Sequence, residues 1–354
     1  MKQFTSHQNW TRRQALWFMT GSLAGIGLHA CTKTDTPSVS QSTGSSSPAN
    51  SDSLALGITT WIGNTPIYIA QEKGFFKEQG LDLKIQVFET VAAGFPAYLS
   101  GRLQGLAPVT SEAVALASQG ADFRVVVVED TSVGADVILA RNSIGSIKDF
   151  KGKKIGVELG GIGHFFLLQI LAQAGLTEKD VTLTNAPPDT AAAAYQSGNL
   201  EIVYTYSPFS DKAIAAQKDG RVIYSSKQMP TAIADLYIFN NQWLQSHPQA
   251  VTAFTSGHFK GLQFLKNNPK EGLAIMAKRL NITPQELEQQ LKGIQIPDLT
   301  TNLAMLGNPQ SNLSLLKPMT ELATFLKAQG KISKVPDLSK TLDSQFVTAL
   351  KAKA

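Results

Sequence analysis

The sequence predicts an α/β fold made of two similar lobes. Two observations carry that expectation: strand-like and helix-like segments alternate from Leu54 onward, and one α/β unit recurs roughly a hundred residues later. The run LALGIT (54–59) opens the body as a short apolar strand. Residues 66–73 have helical character, with Pro66 placed in the first turn, where a missing N–H costs nothing. LDLKIQVF (81–88) alternates apolar and polar residues through Leu81, Leu83, Ile85 and Val87, the pattern of a half-buried strand. FRVVVV (123–128) is continuously apolar, as expected of a strand covered on both faces. A strand at 154–157 and an apolar helix at 165–176 follow. Beyond 240 the chain turns helical, with apolar spacing at Val251, Phe254, Phe259, Leu262 and Leu265, then further helices at 270–280 and 283–291.

The repeat is specific. Ala97-Tyr98-Leu99-Ser100-Gly101-Arg102-Leu103 recurs as Ala194-Tyr195-Gln196-Ser197-Gly198-Asn199-Leu200, with five of seven positions identical at an offset of 97. Upstream, Leu56-Gly57-Ile58 is echoed by Ile155-Gly156-Val157 at an offset of 99. In each copy a helix ends in Ser-Gly, a short strand follows (105–109 and 201–205), and a loop comes next. Ligands of open α/β sheets sit beyond the carboxyl ends of the strands. The loops expected there are Thr110-Ser111-Glu112 and Tyr206-Ser207-Pro208-Phe209, facing each other across a cleft between lobes.

Residues 1–31 read as an export signal. Arg12-Arg13 in TRRQALWF resembles the twin-arginine signal, with Ala15 and Trp17 departing from the usual Phe and Lys. The apolar, Gly-rich stretch 15–30 is short for a membrane span. Leu28-His29-Ala30-Cys31 resembles a lipobox in which His29 replaces the usual small residue, so Cys31 is the expected lipidation site. Cys31 is the only cysteine, so no intramolecular disulfide is expected. Residues 32–53, rich in Ser, Thr and Pro, read as a tether. The net charge is +5, but removing the three bases ahead of Cys31 leaves 29 bases against 27 acids, and no basic run with interleaved aromatics suggests nucleic-acid binding.

Three segments, GNTPIYIAQEKGFFKEQGLDL (63–83), DFKGKKIGVELGGIGHFFLLQILAQAGL (149–176) and YSPF (206–209), resemble the nitrate/sulfonate/taurine-type periplasmic binding proteins of ABC importers, related to pyrimidine-precursor binders. The resemblance implies a type II periplasmic-binding-protein fold. The lobes would be 54–135 plus 238–345 and 136–237, closing on a solute by hinge motion. It also implies a monomer without cofactor, held at the periplasmic side of the membrane by its lipid anchor and partnered by permease and ATPase subunits.

Trp61 is expected as an apolar wall of the cleft, faced by Tyr204, Tyr206 and Phe209. Gly160-Gly161-Ile162-Gly163-His164 lies between strand and helix, where backbone amides can address a ligand, and Gly161 and His164 are candidates. The cleft loops collect Glu112, Glu129, Asp130, Asp136, Glu158, Asp211 and Asp235, no Arg, and only Lys212 beyond Phe209. Burying an anion beside such carboxylates is costly, so a cationic or amide/amidine-like solute is expected, with Thr110, Ser111, Glu112, Asp130 and Asp235 among its contacts. A nitrate, sulfonate or taurine binder is the alternative, as is a pyrimidine-precursor binder or a synthase-like enzyme. Enzyme chemistry has little support: there is no HExxH, GxSxG or phosphate-loop GK[ST] motif, and no cysteine beyond Cys31 to act as nucleophile.

Overall fold

The computed structural model describes residues 52–229 and 232–352; the export signal, Cys31 and all but the last two residues of the expected tether lie outside them. The strands are β1 (Asp52–Thr59), β2 (Leu81–Phe88), β3 (Gly105–Leu106), β4 (Phe123–Ser132), β5 (Asp136–Ala140), β6 (Lys154–Val157), β7 (Thr182–Asn185), β8 (Ile202–Tyr206), β9 (Arg221–Ser225), β10 (Ala234–Asn240) and β11 (Ile294–Gln295). Helices α1 (Thr65–Glu72), α2 (Val91–Leu99), α3 (Thr110–Ser118), α4 (Ile162–Gln173), α5 (Pro188–Gln196) and α6 (Phe209–Ala216) alternate with them. The helical end comprises α7 (Asn241–Ser246), α8 (Pro248–Asn267), α9 (Pro269–Leu280), α10 (Pro284–Leu291), α11 (Leu299–Gly307), α12 (Leu316–Ala328) and α13 (Gln345–Lys351).

Two mixed sheets result. The first has the order β2-β1-β3-β10-β4-β11 and the second β7-β6-β8-β5-β9. In the first, β10 runs antiparallel between β3 and β4; in the second, β5 runs antiparallel between β8 and β9. The five-strand arrangement β2-β1-β3-β10-β4 is therefore repeated as β7-β6-β8-β5-β9. Register makes the sequence repeat physical. Leu56 and Gly57 of β1 pair with Gly105 and Leu106, and Ile155 and Gly156 of β6 pair with Ile202 and Val203. A Cβ on Gly57 would lie 2.7 Å from Leu103 Cδ1, and one on Gly156 would lie 2.6 Å from Leu200 Cδ1. In both copies the Leu that ends the repeated motif occupies the space its strand glycine leaves open.

β1 begins at Asp52, inside the stretch read as tether, because Asp52 and Ser53 pair with Leu81 and Asp82 of β2. β4 is buried along most of its length, as its apolar run predicts. β2 buries Leu81 and Leu83 but leaves Val87 45% exposed at its far end, on the sheet edge. The chain passes from β4 to β5 through residues 133–135 and from β9 to β10 through residues 226–233. Ser226 Oγ links the two passages, 2.7 Å from Ser132 Oγ and 2.8 Å from the Gly134 amide it accepts from. Gly134 takes φ 137°, open to glycine.

Candidate functional site

The carboxyl ends of β1, β2, β3, β6 and β8 and the amino ends of the antiparallel β5 and β10 converge on a cavity of about 40 Å³. Thr59 and Trp61 enter from β1 and the turn after it, Thr90 and Val91 from the start of α2, and Val109 and Glu112 from the start of α3. Asp136 of β5, Glu158 after β6, Ile162 of α4, Tyr206 of β8, and Ile233 and Asp235 around β10 complete it. Four of these side chains are carboxylic; among the described residues none of the lining is Lys, Arg or His.

Register explains the clustering. Asp130 and Asp235 are direct partners across β4 and β10, and Asp136 is the partner of Tyr206 across β5 and β8. Asp235 also bridges to Val109. Like charges directly opposite on antiparallel strands repel, so this pairing does not arise to stabilise the sheet. Asp130 lies one layer behind the cavity, fully buried, and accepts from Trp61 Nε1 at 2.7 Å. A Cβ on Gly63 would lie 1.7 Å from Asp130 Oδ2, so the glycine admits that carboxylate. Tyr204 donates its hydroxyl to Asp136 Oδ1, while Asp136 Oδ2 is buried without a hydrogen-bond partner among the described residues. Glu112 accepts from the Val109 amide at 3.2 Å, turning one oxygen onto its own helix start.

Burial governs the titration of the group. It raises Glu112 to about 8, helped by the nearby Glu158 charge and opposed by the Val109 hydrogen bond. Burial also raises Asp130 to about 8, with the Trp61 hydrogen bond opposing it and Asp136 reinforcing it. Asp235 rises well above the usual carboxylate range through burial and then through Asp130, Glu129, Asp136 and Glu112. Asp136 is raised by burial against the Tyr204 hydrogen bond, and Glu158 is raised by burial and by the neighbouring Glu89. Glu129, buried beside Asp130, is raised by burial and by that neighbour.

The aromatic wall forms across the two sheets. Trp61 and Tyr206 meet edge to face, with centroids 5.3 Å apart. Phe209 does not line the cavity; it backs Tyr206 at 5.7 Å. Of the remaining candidates, Thr110 lines a separate groove of about 460 Å³ with Met229, Ala232 and Phe325, its hydroxyl donating to the Ala232 carbonyl at 3.4 Å. Ser111 is buried with its hydroxyl unpartnered among the described residues, and it is absent from the lining. His164 turns away from the cavity. It accepts the Gly160 amide on Nδ1 at 3.1 Å and reaches Glu178 at 3.4 Å, and burial lowers its pKa. Gly161 caps α4 beside Glu158; a Cβ there would come 2.9 Å from that carboxyl.

Three amides at the start of the glycine-rich turn are spent internally, while no acceptor meets those of Ile162 and Gly163 among the described residues. Leu159 N–H donates to Asn185 Oδ1 at 2.9 Å, Gly160 N–H to His164, and Gly161 N–H to the Glu158 carbonyl at 3.3 Å. Asp136 and Glu158 belong to the lining, and the acidic tally of the loops was the sequence signal for them. Thr59, Thr90, Val91, Val109, Ile162 and Ile233 carry no local pattern that marks them; only the convergence of strand ends selects them.

Comparison with known proteins agrees with this architecture. The profile described as NMT1/THI5 like matches residues 61–272. The taurine-binding periplasmic protein of Escherichia coli K12 is 26% identical over 295 residues, covering 80% of this chain and 89% of the relative. A putative thiamine biosynthesis protein of Haemophilus influenzae is 23% identical over 272 residues, covering 76% and 83%. In structure, the periplasmic aliphatic sulphonate binding protein SsuA from Escherichia coli superposes with a TM-score of 0.69 at 18% identity, covering 84% of this chain and 99% of that one. The chain shares the periplasmic-binding-protein fold, and by the profile match over most of its two-sheet body it belongs to the NMT1/THI5-like family.

Proposed function

We propose that the protein is an extracytoplasmic solute-binding lipoprotein of an ABC importer, and that its cleft takes a small cationic or amidine-like solute. The first half of this reading is supported by the family and by the periplasmic relatives. It makes the protein a carrier that is not itself an enzyme, a monomer that meets permease and ATPase subunits from the periplasmic face. Residues 1–31 would direct export, and Cys31 would carry the anchor.

One observation carries the second half: Glu112, Asp136, Glu158 and Asp235 line the cavity with no base among them. A planar cation can donate to two carboxylates at once while lying against Trp61 or Tyr206, and such charge-assisted pairs are the stronger hydrogen bonds. An anion would meet four acids in that lining. The taurine-binding relative favours a second reading, a sulfonate binder, since a solute with both an ammonium and a sulfonate presents a cation to the acids.

Calorimetric titration with guanidinium, acetamidinium, taurine and nitrate separates the readings. Guanidinium or acetamidinium should bind and nitrate should not. Glu112→Gln or Asp235→Asn should weaken the cation by about 2–5 kcal/mol, roughly 30- to 3000-fold. Tight nitrate or taurine binding that survives both substitutions sinks the cationic reading and leaves the carrier role standing.

A further inference from the structure

The cleft poses an electrostatic problem that its own side chains do not solve. Glu112 comes from α3, Asp136 from β5, Glu158 from the turn after β6 and Asp235 from β10, so four separate elements each deliver an acid to one small cavity. Behind them, β4 adds Asp130 and Glu129, both buried. The other titratable groups facing the cluster are Tyr206 and Tyr204 from β8 and Tyr237 from β10 beside Glu129 and Asp130, and Glu89 acts on Glu158 from the α2 side. The histidine on a lining element, His164 of α4, is directed at Glu178, which also pairs with Lys331. No Lys or Arg figures among the influences on any of the six cleft acids.

Ionised carboxylates taken out of water without a counter-charge are costly, and in practice such groups keep their protons. Asp136 gives this a definite geometry. It is 2% exposed, Tyr204 holds one of its oxygens, and the other, Oδ2, has no partner among the described residues. An oxygen so placed is ready to carry a proton or to receive a donor from a ligand.

We propose that the cleft trades protons for its cation: when it is empty its carboxyl groups hold protons, and a captured cation displaces at least one of them to solvent. This rests on the cationic reading of the same site. The step balances simply. One carboxyl O–H bond breaks, its proton passes to water, the remaining carboxylate pairs with the cation, and no electrons are transferred. Uptake is thereby tied to pH. The cleft captures more tightly as pH rises and releases its cargo more readily where protons are abundant.

The sign for the empty protein runs the other way. Carboxyl groups that titrate at higher pH when folded bind more protons in the folded state than in the unfolded one between the two values, so stability falls as pH rises through that window. For Glu112 the window runs from 4.5 to about 8. His164 and His258, both lowered by burial, are half charged in the unfolded chain at about 6.5 and oppose the acids there; about one pH unit higher they are neutral in both states, and the top of that window reports the acids.

The test uses the purified protein with guanidinium chloride and acetamidinium chloride, cations whose charge is constant across this range. Guanidinium affinity should rise toward tenfold per pH unit between about pH 6 and 8 for one proton exchanged. Its binding heat should vary with the ionisation enthalpy of the buffer, giving a release of about one proton. The empty protein should also melt at lower temperature at pH 8 than at pH 6.5. Its infrared spectrum should show a protonated carboxyl band at neutral pH that diminishes on adding guanidinium and in Asp136→Asn or Glu112→Gln. Guanidinium binding with flat pH dependence and buffer-independent heat overturns the exchange and leaves the cationic reading intact. Nitrate or taurine binding with neither cation bound overturns both. Absence of the carboxyl band in the empty wild type at pH 7 overturns the exchange whatever binds, and needs no variant to fold.

Discussion

At the scale of single residues, the site depends on what small residues leave open. Gly63 admits the Asp130 carboxylate and Gly163 admits the Tyr204 ring, whose Cδ1 would lie 2.0 Å from an added Cβ. These absences of side chain let Asp130 reach Trp61 and Tyr204 reach Asp136. The Trp61–Asp130 bond is the more open to test, because Asp130 Oδ1 already lacks a partner among the described residues and its other oxygen is satisfied by the indole. Trp61→Phe keeps the aromatic body and removes only the N–H donor. Leaving a buried acceptor unpaired costs about 1–3 kcal/mol, so chemical denaturation should show a loss of that size. It should also raise the Asp130 titration further, since the Trp61 hydrogen bond is what opposes burial there. A loss below about 0.5 kcal/mol would mean that the carboxyl finds another donor at no cost.

At the scale of elements, the repeated α2–β3 and α5–β8 units use one packing device twice. Leu103 and Leu200 end the repeated motif and fill the space above Gly57 and Gly156 in the neighbouring strands. Gly156→Ala should force Leu200 aside at about 1–3 kcal/mol, the usual cost of overpacking. Leu200→Ala should cost about 2–5 kcal/mol through the cavity left behind. Combined, the new methyl enters the space vacated by the leucine, so the double variant should be less destabilised than the two losses added, by at least about 0.5 kcal/mol. Strict additivity in a denaturation cycle would show that the two residues are not coupled. The device was legible as a recurring string. Its meaning was not, because the contact spans more than 40 positions and is set by strand register.

At the scale of the whole molecule, side chains from around both sheets hold the described body together. Trp61 meets Tyr206, and Lys331 after α12 pairs with Glu178 at 2.5 Å. Phe165 and Leu168 of α4 are buried in the same apolar cluster as Met305, Met319 and Leu322. The formal charge of +5 coexists with an acidic cavity because the sequence carries three of its bases ahead of Cys31 and the rest of its balance away from the cleft lining. The anchor is the property of the full chain most open to a direct check. Cys31→Ala should abolish incorporation of labelled fatty acid and shift the protein from the membrane to the soluble exported fraction; firm anchoring by lipid requires more than one chain. A variant that stays membrane-bound, beside a wild type that takes no label, would remove the lipoprotein from this account.

What the amino-acid sequence determined by itself was whatever local pattern can encode. Alternation along β2, the unbroken apolar run of β4, the proline-led α1 and the repeated Ser-Gly strings all express near-neighbour periodicity, and the elements stand where that periodicity put them. The excess of acids in the cleft loops was equally readable, since it needs only a tally. Only the tertiary structure decided which of those acids share a cavity. Strand register set Asp130 beside Asp235 and Asp136 beside Tyr206. The direction of α4 turned His164 toward Glu178, and the start of α3 sent Thr110 to a different groove from Glu112. The physical reason is the same in each case. Adjacent residues in a helix or strand face different ways, so neighbourhood in sequence marks where a site lies while the packing of distant elements selects the side chains that enter it.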